Sequence, residues 1–182
     1  MQHTEEFYDF YKNKMIFLDA KPNKAHLKLA EMERAGKLSA IVTQNIDGLH
    51  QAAGSKNVFE LHGSVHRNYC QKCGKFFDVN YVVNAKGVPY CDECGGIIKP
   101  DVVLYEEGLD SQTINGAVRA ISKADMLIIG GTSLVVYPAA GMIDYFKGKY
   151  LAVLNRDATS RDKQADLCIT DPIGEVLGRI RV

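Results

Sequence analysis

Short apolar runs alternate with stretches of helical periodicity along most of this chain. The predicted strands are Ser39–Thr43, Asn57–Leu61, Met126–Ile129, Tyr150–Leu154 and Leu167–Thr170. The predicted helices are an amphipathic one within residues 1–20, then Ala25–Ala35, a short one at Leu49–Ala53, Thr113–Lys123 and Pro138–Phe146. Strands that alternate with helices indicate an α/β fold with a parallel sheet. The continuous apolar run at Met126–Ile129 is typical of a strand covered on both faces.

The composition changes between residues 66 and 99, where cysteine, aromatic and turn residues replace the alternation of strands and helices. We interpret this segment as a small inserted module. Pro100–Glu107 returns the chain to the main domain. The predicted domains are therefore an α/β domain built from residues 1–65 and 100–182, and an inserted module at residues 66–99.

Four of the five cysteines form two Cys-x-x-Cys pairs, Cys70 with Cys73 and Cys91 with Cys94, separated by residues 74–90. This spacing is typical of a zinc ribbon, because each pair sits on a tight turn that aims both thiolates at one centre. Four thiolates complete a tetrahedral shell and leave no open position. We therefore expect one structural zinc ion rather than a catalytic one.

Two other interpretations of the cysteines stay open at this point. In the first, the four thiols have no common function. In the second, one Cys-x-x-Cys pair is a redox motif, although such a motif would not need a second pair. His66 stands four residues before Cys70, and we interpret it as a bystander rather than a ligand. The glycines at 74, 95 and 96 supply the permissive backbone that metal-binding turns need.

Polar groups follow the first two predicted strands at the point where each strand ends. Asn45 and Asp47 come after the first strand, and His62 comes after the second. Ligands of open α/β sheets bind beyond the carboxyl ends of the strands. We expect these three side chains to face one crevice, where the histidine can titrate near neutral pH.

Two later strands end in groups suited to a nucleotide. The sequence Ile129-Gly-Gly-Thr-Ser-Leu134 places Thr132 and Ser133 after a buried strand, where we expect a helix start able to bind phosphate. Asn155 follows the next strand and is suited to ribose hydroxyls. The alternative for each is an ordinary loop at the end of a strand.

Charge and hydropathy exclude some classes of function. Lysine plus arginine and aspartate plus glutamate each number 22, so no overall field favours nucleic acid or an anionic membrane. No apolar run is long enough to span a bilayer, and no signal-peptide pattern occurs at the N-terminus. We expect a cytoplasmic protein with neither nucleic acid nor membrane as a partner.

Taken together, these motifs resemble those of the sirtuin family, the NAD-dependent protein lysine deacylases. The matching pieces, in family order and spacing, are residues 43–50 (TQNIDGLH), 60–63 (ELHG), the four cysteines, 99–103 (KPDVV), 131–140 (GTSLVVYPAA) and Asn155. The resemblance implies a Rossmann-like NAD-binding domain with an inserted zinc ribbon, and acyl-lysine proteins as substrates.

The resemblance also implies a role for individual residues. His62 is expected to be the general base that deprotonates a ribose hydroxyl, and Val102 and Val103 to pair with the substrate peptide by extending a sheet edge. The residues expected to contact NAD are Gln44 and Asn45 at the ribose and nicotinamide, Ile46 and Asp47 at the carboxamide, and Gly131, Thr132, Ser133, Asn155, Arg156 and Ile173 around the ADP-ribose half. In the family the products are the freed lysine, nicotinamide and O-acyl-ADP-ribose.

The sequence departs from the family pattern in two places. The Gly-Ala-Gly phosphate loop and the Pro-Asp-Phe-Arg segment that begin a sirtuin do not occur, so Met1 matches an internal position and the first strand is missing. Our hypothesis is a truncated or mis-started sirtuin that folds poorly and is weakly active or inactive alone. The alternative is a non-catalytic remnant with a binding or regulatory role. Tyr105-Glu106-Glu107 also stands where many members carry Phe-Gly-Glu.

Overall fold

The computed structural model describes residues 3–182. Its contacts divide the chain into two units, each assembled from separate stretches. The first unit comprises the chain up to Ala20 together with Asn45–Gly48 and His62–Gly108. The second unit comprises Lys21–Gln44, Leu49–Leu61 and Leu109–Val182. The predicted inserted module, residues 66–99, lies wholly within the first unit.

The strands and the helices with predicted bounds are present, with ends within two residues of those predicted, and the helix predicted within residues 1–20 begins at Thr4. The α-helices are α1 (Thr4–Phe10), α2 (Lys24–Arg34), α3 (Leu49–Ala52), α4 (Val79–Asn84), α5 (Ser111–Lys123) and α6 (Ile173–Gly178). The strands are β1 (Ile41–Thr43), β2 (Val58–Glu60), β3 (Gly63–Cys70), β4 (Phe76–Phe77), β5 (Ile98–Val102), β6 (Met126–Gly130), β7 (Tyr150–Leu154) and β8 (Leu167–Ile169). A π-helical turn continues α1 over Tyr11–Met15, and 3-10 helices occupy Ala139–Tyr145 and Asp162–Gln164.

The first unit is built on an antiparallel sheet in the order β4-β3-β5. Residues of β3 and β5, among them Val65 and Ile98, lie in an apolar core that α1 and the π-helical turn after it cover with Tyr8 and Tyr11. The hydroxyl of Tyr8 donates to the carbonyl of Ile98, and burial raises the pKa of Tyr8 to about 12. The aromatic pattern at the N-terminus is therefore explained, because this helix closes the core of the unit.

The second unit contains two parallel sheets where the sequence predicted one. The strands pair as β1-β2 in one sheet and as β6-β7-β8 in the other, and all of these pairs are parallel. Within residues 3–182, β1 pairs only with β2 and β6 only with β7. Helix α5 joins the two sheets, because Ala117 and Ile121 lie in one core cluster with Val42, Phe59 and Leu127.

The prediction that Met126–Ile129 is covered on both faces is wrong at its start. The Met126 side chain is 47% exposed, whereas Leu151 to Leu154 of β7 are all buried. The reason is the position in the sheet: β7 lies between two strands, and β6 lies at an edge. The continuous apolar run belongs to an edge strand, and the buried centre is the next strand along the chain.

Candidate active site and metal centre

The four paired cysteines converge on one point in the first unit. The sulfur atoms of Cys70, Cys73, Cys91 and Cys94 all lie within 4.8 Å of one another. Sγ of Cys70 is 3.4 Å from Sγ of Cys94, and Sγ of Cys73 is 3.7 Å from Sγ of Cys91. Tetrahedral zinc with bonds of about 2.3 Å holds its sulfur ligands about 3.8 Å apart, so the cluster fits one zinc ion. His66 is not part of the cluster.

The two cysteine turns are closed by the same backbone hydrogen bonds. The N–H of Gly74 donates to the carbonyl of Cys70 at 2.9 Å, and that of Gly95 donates to the carbonyl of Cys91 at 3.0 Å. Both glycines have a left-handed φ, of 74° and 67°, which glycine adopts without strain. At Gly96 a Cβ would lie 2.8 Å from Sγ of Cys70, so only glycine leaves room for that thiolate.

The thiol pKa values in the cluster shift in opposite directions, lower for Cys70 and higher for Cys73 and Cys94, and an ion-paired lysine connects the two turns. A hydrogen bond from the N–H of Cys73 lowers the pKa of the Cys70 thiol to about 6. Lys75, just after the first turn, places Nζ 2.8 Å from Asp92 Oδ1 and 2.8 Å from Glu93 Oε1, the two residues inside the second pair. Sequence reasoning missed this ion pair, because the cysteine spacing predicts that the two turns meet but not which side chains face each other across them.

The loop after β1 rests on β3 in the first unit. The carbonyl of Ile46 accepts a hydrogen bond from the N–H of Val65 at 3.0 Å, and the Ile46 side chain packs against the apolar core. Asp47 is half-buried, and Gly48 turns the chain with φ 69°. Of the predicted NAD contacts, Asn45, Ile46 and Asp47 therefore lie in the same unit as His62.

His62 lies directly before β3 and is fixed through its backbone. Its carbonyl accepts a hydrogen bond from the N–H of Val103 at 3.1 Å. Gly63, the next residue, has φ 76° and pairs with Val102 of β5. The structure thus brings His62, Val102 and Val103 together at one end of the β3–β5 pair.

The hydrogen bond made by the N–H of Val103 limits the part that Val103 can take in pairing with a substrate peptide. Its N–H is engaged by His62 and cannot donate to a peptide. In the antiparallel ladder the neighbouring residue, Val102, directs its backbone groups away from β3, towards the open side of β5 at the edge of this sheet. Its carbonyl lies 3.4 Å from Nζ of Lys99. Val102 is therefore the residue of the pair that can extend the sheet.

The segment after Val103 forms a turn over Leu104–Glu107. Glu107 closes it twice, since its N–H donates to the carbonyl of Leu104 and its carboxylate accepts from the N–H of Leu104 at 3.0 Å and from Lys99 Nζ at 3.0 Å. Burial acts to raise the pKa of Glu107, but these two donors outweigh it and hold the pKa below its usual range. Glu106, at the third turn position, has φ 71°.

In the second unit, polar groups gather at the carboxyl ends of β6 and β7. The N–H of Gly131 donates to the carbonyl of Leu154 at 3.2 Å, which places Gly131 beside the residue before Asn155. Asn155 donates from Nδ2 to the carbonyl of Asp157 at 2.8 Å, and Arg156 is exposed. A Cβ on Gly130 would lie 2.5 Å from Cδ1 of Ile173, so Ile173 reaches the same edge of the sheet.

The expected helix start at Thr132 and Ser133 is wrong. No helix begins there; the next one is the 3-10 helix that starts at Ala139. Thr132 instead closes a local turn, because its Oγ1 accepts from the N–H of Leu134 at 3.2 Å, and Leu134 has a left-handed φ of 55°. Phosphate binding at this loop would depend on its own N–H and hydroxyl groups, without a helix dipole.

Comparisons with known proteins place these features in a family context. The model of the Sir2 family matches residues 1–138. The NAD-dependent protein deacetylase of Clostridium acetobutylicum is 66% identical over 176 residues, which cover 96% of this chain and 72% of that protein. The deacetylase of Clostridium perfringens is 63% identical over 180 residues, covering 98% of this chain and 74% of that protein.

Solved structures agree with the sequence relatives. A complex described as "Sir2-p53 peptide-NAD+" superposes with a TM-score of 0.91 at 41% identity, covering 98% of this chain and 77% of that chain. A structure of Sir2Tm bound to a propionylated peptide gives a TM-score of 0.90 at 40% identity, covering 98% of this chain and 78% of that chain.

Proposed function

Because this chain belongs to the Sir2 family, we propose that the two groups of residues described above carry out its reaction, with His62 as the general base. The activity is the NAD-dependent removal of acyl groups, foremost acetyl, from lysine side chains of protein substrates. Bound NAD supplies the bond between nicotinamide and ribose that breaks in this reaction, and the ribose accepts the acyl group.

The residues of the first unit would handle the reacting end of NAD and the peptide. His62 would accept a proton from a ribose hydroxyl through its ring, while its backbone stays fixed by Val103. Asn45 would contact the ribose and nicotinamide, and Ile46 and Asp47 would hold the carboxamide. The substrate peptide would pair with Val102 along the open side of β5.

The residues of the second unit would bind the rest of the cofactor. Gly131, Thr132 and Ser133 offer N–H and hydroxyl donors to phosphate, and glycine at 131 lets the backbone approach closely. Asn155, Arg156 and Ile173 would contact the ADP-ribose half of NAD. Gln44, directly after β1, is the exception in this unit, because it would line the ribose and nicotinamide pocket.

The zinc ion has a structural role in this proposal. Cys70, Cys73, Cys91 and Cys94 would hold it with no open position, so it supplies folding free energy and not a reactive centre. The proposed metal module is residues 66–99, and the proposed NAD-binding domain is residues 1–65 and 100–182.

We also propose a cytoplasmic location, with neither nucleic acid nor membrane as a partner. Among residues 3–182, no helix has the length and apolar character needed to cross a membrane.

The observation that carries the proposal is the fixed position of His62 at the end of β3, beside Val102 and Val103. The test is nicotinamide release from an acetyl-lysine peptide by a His62→Ala variant. Loss of a general base lowers turnover by about 100-fold to 10,000-fold, with zinc content and melting temperature unchanged. His3→Ala, at an exposed histidine of α1's N-terminus, is the matched control. Normal turnover by His62→Ala would remove His62 from the mechanism.

A further inference from the structure

His66, which has no place in the metal cluster, contacts the loop that follows β1. Its Nε2 lies 3.0 Å from the backbone carbonyl oxygen of Asp47. A carbonyl oxygen only accepts hydrogen bonds, so Nε2 carries the proton and donates it. The ring therefore reaches from β3 to the backbone of Asp47. In the proposed function, Asp47 contacts NAD directly.

The shape of the loop matches the position of the ring. Gly48, which follows Asp47, has φ 69°, and a Cβ there would lie 2.7 Å from Cδ2 and 3.0 Å from Nε2 of His66. The imidazole thus occupies the space that any side chain at position 48 would need. Glycine at 48 is therefore favoured twice, by its left-handed backbone and by the ring of His66.

The strand that carries His66 is itself held in place. The N–H of Val65 donates to the carbonyl of Ile46 at 3.0 Å, so two successive residues of β3 hold two successive carbonyls of the loop. The N–H of His66 lies 3.3 Å from Oγ of Ser64, which is 2% exposed. A binding loop is positioned well when its supports belong to a regular element, and β3 pairs with β5 at Ser64 and again at Asn68, on either side of His66, with a register shift between them.

We propose that His66 is a positioning residue for the NAD-binding loop: its Nε2–H fixes the carbonyl of Asp47 and so sets the backbone of Ile46 and Asp47 against the carboxamide. This inference rests on the proposed contact of Ile46 and Asp47 with NAD. His66 acts through Asp47 and does not itself touch the cofactor or the substrate.

The test uses three replacements that differ in where they place a donor. His66→Ala removes the donor. His66→Gln carries an amide nitrogen about as far from the backbone as Nε2, and His66→Asn carries one at the position of Nδ1, too short to reach Asp47. The first readout is hydrogen exchange of a peptide covering residues 44–50, followed by mass spectrometry without NAD. The second is KM for NAD and kcat, together with inhibition by nicotinamide.

We expect His66→Ala and His66→Asn to speed exchange in the loop, and to raise KM for NAD and the nicotinamide inhibition constant, each by about threefold to tenfold, the range for one net hydrogen bond. His66→Gln should restore all of these values. Zinc content and KM for the peptide should not change. Equal impairment by all three variants, or normal behaviour of His66→Ala, would overturn the inference.

Asp47→Asn separates the two proposals. If Asp47→Asn weakens nicotinamide inhibition and His66→Ala changes nothing, the role of His66 is wrong and the role of Asp47 stands. If Asp47→Asn leaves NAD and nicotinamide unaffected, the carboxamide contact is wrong. The exchange experiment then still reports whether His66 orders the loop, because it needs no cofactor.

A double-mutant cycle tests the contact itself. Gly48→Ala should destabilise the protein in the presence of His66, because the new methyl group meets the ring. In the His66→Ala background the same substitution should cost less, since only the backbone strain remains. Equal costs in the two backgrounds would show that the ring does not occupy this space.

Discussion

A methyl group on Gly63 would lie 1.9 Å from the carbonyl oxygen of Asp101. Backbone atoms cannot move away from such a contact as the end of a side chain can. The close approach of β3 and β5 therefore requires glycine at this position, and the next residue towards the N-terminus is His62. The geometry of the proposed general base depends on the absence of a side chain beside it.

We predict that Gly63→Ala will lower the free energy of unfolding by about 2–5 kcal/mol, from overpacking and left-handed backbone strain together, and will abolish deacetylation. Urea unfolding and nicotinamide release measure the two effects. Gly87→Ala is the matched control, because Gly87 has φ 65° in the same unit but no atom within 4 Å of the added Cβ. It should show the strain alone, about 1–2 kcal/mol. Equal losses in the two variants would contradict the steric argument.

Glu106 holds a left-handed backbone at the third position of a turn, where glycine is preferred. We predict that Glu106→Gly will raise the free energy of unfolding by about 0.5–1 kcal/mol, because relief of strain exceeds the greater freedom of the unfolded chain. Glu106→Ala keeps the strain and removes the charge, so it should not stabilise. Chemical denaturation of both variants checks the prediction, and stabilisation by Glu106→Ala would attribute the effect to charge.

Glu107 should make stability depend on pH. Its pKa in the folded protein is below the ordinary pKa of a glutamate, so its contribution to stability is fully present above that ordinary pKa and is lost as the pH falls through the folded pKa. The side chain is 40% exposed, and we expect Glu107→Gln to cost less than about 1 kcal/mol at pH 7. Unfolding measured between pH 7 and pH 3 should show the two proteins converging in acid. A constant difference would exclude ionisation as the cause.

The cysteine cluster predicts different results for two cysteines. Cys91→Ser should remove zinc from the protein and unfold the first unit, because binding of a structural metal is coupled to folding. Cys168→Ser, at an exposed cysteine of β8 outside the cluster, should leave zinc content and melting temperature unchanged. Metal analysis and thermal melting of both variants are sufficient. A stable, zinc-free Cys91→Ser protein would contradict a structural role.

The features that the sequence predicts well are local ones. Helical periodicity located α2 and α5 within two residues, and the spacing of Cys70, Cys73, Cys91 and Cys94 predicted their convergence. In both cases the information lies within a few residues or in a fixed geometric motif. The roles of His62, Val102 and Val103 came from family resemblance, and they stay predictions after the structure places the three together.

The features that the sequence did not predict are set by distant partners. Strand pairing determines that β1 and β6 lie in different sheets and that Met126 is exposed. An apolar run in the sequence does not show which strand will pair with it. Thr132 was expected at a helix start because its hydroxyl follows a buried strand, where phosphate sites often lie, but a turn closed by Thr132 and Leu134 takes that place. His66 and Gly48 are 18 residues apart, and only the fold shows that they meet.

The hydrogen bond between Tyr8 and Ile98 spans 90 residues of sequence. At a synthesis rate of 5–20 residues per second, α1 leaves the ribosome roughly 5 to 20 s before its partner strand exists. During that time Tyr8 and Tyr11, both fully buried in the finished protein, have no core to enter. The first unit therefore cannot complete its core from the N-terminus onward, because α1 must wait until β5 has been made.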